Sequence, residues 1–409
     1  MTTRLTKVGT LAYSILRTIG GLKAVRIKFM VFIFVHWLCV RGRYNFHNMA
    51  RYGHISEKTL RSHFAAYFPW LDFNVALTRK YLSDDRIIAF DPTYISKSGK
   101  KTAGVGYFWS GQAGAVKWGM EFGGLAAVDL KDKTAMHLLA LQTTDLQAGE
   151  TLPEFYASLI ELNAEALKKV SDQVVVDAYF SRFTYIDPVV KSGFSVTSRL
   201  RKDAHLRYYY TGPRRGGKGR PKEFDGKVDP RQLRPDVFTP CATAEDGSWC
   251  AFQGAVEVRS LKRKCRVVIT HDYDEHKNIK SHRIHFSTKQ SLDGGEVLHM
   301  YQSRYQQEFL FRDAKQELGL EECQAYCTDK NEFHVNCALT VGSLAKAAHH
   351  LHTNPHTFAQ GSFSIADVKT EYFNENQALR ILSTCGIDAN LEKIKSALRK
   401  IKNFGKRRA

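Results

Sequence analysis

Residues 1–80 carry apolar positions at helical intervals and few turn residues beyond Gly20-Gly21 and Gly53, a pattern that predicts a mainly helical N-terminal domain. Its most apolar stretch, residues 29–40, is shorter than the ~20 residues a bilayer crossing needs. His36 also interrupts it. The run starts too far along the chain, with no small-residue cleavage site behind it, for a signal peptide. It is therefore expected to be a buried helix. Residues 45–64 predict a helix to about Arg51, a turn over 52–55 and a second helix with Ser56 as its N-cap. That is the outline of a helix-turn-helix, whose second helix enters a DNA major groove; Lys58, Arg61 and Ser62 would then face DNA. A plain packing hairpin has the same outline.

Beyond residue 86 the pattern changes. Residues 87–90 form a short apolar run that should be a strand ending at Asp91. Residues 104–110 and 118–130 read as strands of a meander, and 154–170 as an amphipathic helix. Residues 174–176 read as a second buried strand ending in Asp177, and 194–197 as another strand. Strands and helices in this order predict an α/β sheet covered by helices. Residues 211–236 hold eight Lys or Arg against four acids, with many Gly and Pro, and read as a solvated basic loop. Strands expected at 248–258 and 264–270 make 201–285 a β-rich insertion. One long helix is expected over 294–318 and another near 333–352. The divisions that follow are 1–80, 81–200, 201–285, 286–352 and a basic helical C-terminal region, 353–409.

Composition narrows the class. With 43% hydrophobic residues the chain can bury a sizeable core. Sixty Lys and Arg against 41 Asp and Glu give a net charge of +19, which favours a polyanionic partner such as nucleic acid. The eight cysteines are scattered, as expected of reduced thiols in a cytoplasmic compartment. Cys323 and Cys327, with His334 nearby, lack a second ligand pair at zinc-finger spacing.

Asp91 and Asp177, each following a short apolar strand, are the first candidates for chemistry. A strand end holds a carboxylate rigidly at the sheet edge, which suits a hard divalent cation such as Mg²⁺; it equally suits turn formation. Tyr301, Arg304, Glu308 and Lys315 stand at offsets 0, 3, 7 and 14. On one continuous helix they would fall within roughly 60° of one face. Such a stripe can add a third carboxylate and grip phosphates, or it can be an ordinary solvated face.

Tyr301-x2-Arg304-x3-Glu308-x6-Lys315, with Asp91 in FDPT and Asp177 in VVVDAYF, resembles the Y-(2)-R-(3)-E-(6)-K signature of the IS4-type DDE transposases. The resemblance spans about residues 86–350. It implies an RNase H-like core with a β-rich insertion and a catalytic triad of Asp91, Asp177 and Glu308. The triad would hold Mg²⁺, with Mn²⁺ as a substitute and two ions per site, Asp91 bridging both. The implied partner is double-stranded DNA, the terminal inverted repeats and the target, bound by a homodimer. Tyr301, Arg304 and Lys315 would hold terminal phosphates. Trp249 is the insertion's candidate for stacking on a flipped base, although a core Trp on a strand fits as well. Lys289 departs from the family pattern, where an acid is expected.

Two other readings use the same residues: an RNase H-like nuclease without strand transfer, and an inactive, transposase-derived DNA-binding regulator. The basic loop generates a prediction that does not depend on the choice. Replacing Arg214, Arg215, Lys218 and Arg220 with Ala should weaken binding to random DNA and flatten its salt dependence by up to about 0.9 logarithmic units per lost phosphate contact. Binding titrations over a range of salt check this; an unchanged slope would make the loop a mere linker.

Overall fold

The computed structural model describes residues 6–144, 146, 149–213, 220–353 and 363–407. Helices α1 (Lys7–Leu16), α2 (Ala24–Cys39), α3 (Phe46–Tyr52), α4 (Glu57–Ala65) and α5 (Trp70–Tyr81) come first. Strands β1 (Arg86–Ser96), β2 (Gly106–Ser110), β3 (Ala115–Asp129) and β4 (Thr134–Gln142) follow. Next are α6 (Leu152–Leu162), α7 (Ala164–Lys168), β5 (Gln173–Val176), α8 (Phe183–Lys191) and β6 (Ser195–Leu200). A β-rich stretch comes after them: β7 (Leu206–Tyr209), β8 (Phe224–Lys227), β9 (Thr239–Thr243), β10 (Trp249–Val258), β11 (Arg263–Tyr273) and β12 (Ile279–Ser287). The chain continues with α9 (Gly294–Ser303), α10 (Gln306–Glu317), α11 (Thr328–Thr353), α12 (Ile365–Thr384) and α13 (Glu392–Asn403). The segment 214–219, with Arg214, Arg215 and Lys218, lies outside the described residues.

These elements form two compact units. One contains Met1–Asp84, Pro92–Asp145 and Gln307–Ala409; the other contains Asp85–Asp91 and Leu146–Gln306. In the first, β3 pairs antiparallel with β2 and β4. The second half of β1 lies against β3 so closely that a Cβ at Gly119 would sit 2.4 Å from the Ile95 carbonyl oxygen. Only glycine permits that approach. Helices α5 and α11 cover β4 through buried polar contacts. Asn74 Nδ2 donates to Leu138 O (2.9 Å) and Asn336 Nδ2 to Ala140 O (2.7 Å). Asn336 Oδ1 accepts from Ala140 N and from His137 Nε2. Burial holds the His137 imidazole at about 4, so it stays neutral.

The apolar stretch of residues 29–40 is a buried helix, as expected: Met30, Ile33, Phe34, Trp37 and Leu38 in α2 are fully buried. Among the described residues no helix is long and apolar enough to cross a membrane. The N-terminal helices pack with C-terminal elements, for Trp37 Nε1 donates to Leu318 O (3.0 Å). The basic end of α13 is partly neutralised by α12: Lys402 pairs with Glu371 and Glu375, and Lys406 pairs with Glu371.

In the second unit, the first half of β1 runs parallel to β5, and β5 parallel to β6. The sheet extends antiparallel through β12, β11 and β10, with β7 and β9 on β10 and β8 on β7. Helices α8 and α9 lie against it, and α6 packs on α8 and reaches β1 through Tyr156 on Phe90. The chain thus has a large mixed sheet flanked by helices, the fold class expected of an RNase H-like core.

Three expectations need correction. The helix over 154–170 breaks at Asn163, whose side chain donates back to Leu159 O in place of continuing the backbone ladder. Strand β1 does not stop at Asp91 but runs on to Ser96, because Thr93, Tyr94 and Ile95 favour a pleated conformation and β3 lies alongside. The helix over 294–318 breaks at Arg304-Tyr305 into α9 and α10. The chain before the break is anchored by Arg304 to Asp91 (3.2 Å), and after it by Gln307 Nε2 donating to Gly124 O (2.8 Å). Hydrophobic periodicity cannot register two side-chain anchors of that kind.

Glu332 of α11 accepts from Gln142 N at the end of β4 (3.0 Å), and burial, reinforced by Asp329, pushes its carboxyl up to about 7. The fold therefore favours the protonated form. Its stabilising contribution is full below the unfolded value of about 4.5 and is lost as pH climbs through about 7. Glu332→Gln keeps the acceptor without the charge. It should leave stability nearly unchanged at about pH 4 and raise it by up to about 3 kcal/mol at about pH 8. Urea denaturation at both pH values measures this; a parallel pH dependence in both proteins would exclude Glu332 as the titrating group.

Candidate active site

The parallel register pairs Ile88 with Val174, Ala89 with Val175 and Phe90 with Val176. One step further come Asp91 and Asp177. Neighbouring strands lie about 4.8 Å apart, and matched positions on parallel strands share a face. Both aspartates are half-buried. Beneath them Phe90 packs against Tyr156, Phe180 and Tyr185. Ser198 Oγ donates towards Val176 O (2.9 Å) and Asp177 O (3.1 Å), and itself accepts from Ser181 Oγ (2.8 Å). The strand end carrying Asp177 is thus held by backbone contacts as well as packing.

Helix α9 meets this pair. Its N-terminus is closed by a capping box between Asp293 and Glu296. Gln253 of β10 donates to Asp293 Oδ2 (3.0 Å) and accepts from Gly294 N (2.8 Å). A Cβ at Gly294 would lie 2.5 Å from Cys241 Sγ, so glycine lets the helix start flush against β9. Val297 and Met300 are buried beneath the helix. At its C-terminal end Tyr301 and Arg304, three residues apart, are neighbours on one side. Arg304 Nη1 donates to Asp91 Oδ2 at 3.2 Å in an ion pair whose side chains are 14% and 24% exposed. The Tyr301 phenol lies close enough to Asp177 to feel its charge. Burial first, and then the Asp177 charge, raise the Tyr301 phenol above its ordinary value, so it stays a donor at neutral pH.

Two helix neighbours therefore meet two strand neighbours. The Tyr301 ring also packs on His285 of β12, with centroids 4.9 Å apart. Burial holds that imidazole at about 4. His285 and Ser198 were missed in the sequence: β12 carries no clear alternation, and a serine on a buried strand has no motif to mark it.

The structure brings Asp91, Asp177, Tyr301 and Arg304 together within one unit. Glu308 and Lys315 belong to the other, in the first and last turns of α10. The helix break removes the single-helix stripe that the offsets implied. Lys315 Nζ donates to Tyr94 O (2.7 Å) and pairs with Glu321 (3.1 Å). Trp249 is half-buried at the start of β10, paired with Asp272 of β11. Arg220 is exposed and pairs with Glu223 (3.0 Å). In the N-terminal hairpin, Ser56 caps α4 by accepting from Thr59 N, and Lys58 is exposed. Arg61 pairs with Glu57 (2.7 Å) and lies over the Phe46 ring. Lys289 lies 3.8 Å from Asp172.

The donor set can be tested against a hard cation. Mg²⁺ needs only one or two carboxylates when waters and substrate phosphates complete its octahedron. Asp91 and Asp177 meet that requirement. Among the described residues no group of three or more His, Cys, Asp or Glu is arranged to hold a metal ion.

The profile of the transposase DDE domain matches residues 82–341, most of the chain. The chain belongs to the transposase DDE domain family. No curated relative matches the sequence of this family member. Among solved structures, the cryo-EM structure of a piggyBac transposase synaptic complex with hairpin DNA is similar over 96% of this chain and 81% of that one. Identity is 10% and the TM-score 0.41.

The anchoring of this transposase domain's α9 generates a prediction. Gly294→Val places two methyl groups against Cys241 and Gln253, so α9 must lift or β9 must shift. Overpacking of this kind costs about 1–3 kcal/mol. Thermal melting should register the loss, and Cys241→Ala in the same chain should restore part of it. No recovery would mean that Cys241 is not the obstructing group.

Proposed function

We propose that this transposase domain belongs to an IS4-type enzyme that cuts double-stranded DNA at element ends and joins the freed 3′ ends to target DNA. The observation that carries the reading is the ion pair of Arg304 with Asp91, beside which the Tyr301 phenol feels the charge of Asp177. It supports reading the first half of the sequence signature together with the aspartates. Glu308 and Lys315 enter from the signature alone.

Asp91, Asp177 and Glu308 would hold Mg²⁺, with Mn²⁺ able to replace it and two ions serving one site. When bound, such ions supply an activated water or 3′-hydroxyl and stabilise charge on the leaving oxygen. Tyr301 donates a hydrogen bond and orients Asp177. Arg304 and Lys315 bind phosphates flanking the scissile bond, Arg304 with its planar fork. The segment with Arg214, Arg215, Lys218 and Arg220 adds sequence-independent attraction along the duplex. Trp249 stacks on a displaced base, and Lys58 and Arg61 contact DNA from the N-terminal hairpin. The working form is a homodimer bridging two ends, acting on bacterial DNA in the cytoplasm.

Asp91→Asn, Asp177→Asn and Glu308→Gln should each lower cleavage of an end-containing duplex by at least about a thousandfold, while DNA binding persists; Mg²⁺ removal should do the same. The measurement is a two-step assay in Mg²⁺ that scores nicks and joined products separately. Near-native cleavage in any variant removes that residue from the triad. If the wild type nicks but never joins, the reading gives way to a nuclease.

A further inference from the structure

The ion pair between Arg304 and Asp91 joins two groups to which the proposed reaction gives different partners. Asp91 Oδ2, the atom facing Arg304 Nη1 at 3.2 Å, is a carboxylate oxygen of the kind a divalent cation takes as ligand. Arg304, the C-cap residue of α9, carries the planar guanidinium that suits a phosphate. With the pair only 14% and 24% exposed, solvent screens it weakly. A divalent cation on Asp91 would bring like charges together. Its binding is weakened for as long as the guanidinium stays on the carboxylate without another anion to balance it.

Three features leave Arg304 able to make that exchange. It sits at the break between α9 and α10 and not within a continuous helix, as the C-cap residue of α9. Its long side chain reaches Asp91 from the helix end. Tyr301, one turn earlier, keeps the helix docked through its packing on His285 when Arg304 lets go.

We propose that Arg304 couples cation binding to DNA binding: it holds Asp91 in the absence of both, and moves to a DNA phosphate as a divalent cation takes the carboxylate. By linkage, phosphate bound at Arg304 then tightens cation binding, and the cation tightens phosphate binding by the same factor. The enzyme is thereby disfavoured from loading metal before DNA is in place. This inference rests on reading Asp91 as a cation ligand.

The test measures Mn²⁺ binding to the full chain by electron paramagnetic resonance, with and without a short random-sequence duplex. A short incubation at low temperature with a duplex lacking element ends keeps turnover negligible. Without DNA, Arg304→Ala should bind Mn²⁺ about tenfold more tightly than wild type, a change in the direction opposite to that of a damaged site. Arg304→Gln should fall on the same side, which guards against an effect of misfolding. Arg199→Ala removes a positive charge near Tyr301 without touching Asp91, and sets the effect of charge alone. DNA should tighten Mn²⁺ binding about tenfold in wild type and by clearly less in Arg304→Ala. If Arg304→Ala binds Mn²⁺ no more tightly than Arg199→Ala, or if DNA coupling is the same in wild type and Arg304→Ala, the exchange is refuted while the cation site stands. If Asp91→Asn binds Mn²⁺ as tightly as wild type, the cation reading of Asp91 fails and the exchange fails with it.

Discussion

Two aspartates forced side by side by a parallel strand register are the constraint on which the site depends. The β1–β5 pairing ends at Phe90 and Val176, so the carboxylates that follow share a face at a strand spacing. Half-buried like charges at that distance need compensation, and helix α9 supplies it with a guanidinium and a phenol one turn apart. Much of the surrounding structure fixes that helix: the Asp293 cap, the Gln253 bridge, the bare backbone of Gly294 and the packing of Tyr301 on His285. Displacing any of these would move the compensating groups before it moved the acids.

The first unit uses a different strategy. Helices α5 and α11 meet β4 through amide, imidazole and hydroxyl groups: Asn74 with Thr340, His137 with Asn336, and Ser343 accepting from His137 N. Buried polar groups are costly unless satisfied, and satisfying them permits few alternative alignments. The network therefore sets the sliding position of α11 along the strand more sharply than apolar packing alone would. A carboxyl placed in such surroundings, that of Glu332, is pushed up to about 7 and so changes charge near physiological pH.

What could be read from the sequence was local or motif-borne. The N-cap at Ser56 and the turn after α3 were legible because a short polar side chain before a helix has one clear use there. The short strands before Asp91 and Asp177 were legible as unbroken apolar runs, and the signature residues by their spacing. The continuation of β1 was not legible, because Pro92 after an aspartate looks like a stop. The break at Arg304-Tyr305 was hidden because residues 294–318 keep a helical pattern across it. Partners more than a hundred residues away, Asp91 and Gly124, fix the chain on either side. Tertiary anchors of that reach leave no periodic trace.

The break changes what the spacing of the signature measures. On one helix, the three residues between Arg304 and Glu308 would set an angle, and adding one residue would swing the glutamate about a quarter turn away. In this chain a break at Arg304-Tyr305 interrupts that count, and Gln306 and Gln307 already belong to α10. Slack there would be absorbed by the break, whereas a change within α9, between Tyr301 and Arg304, would have to be absorbed by the helix itself.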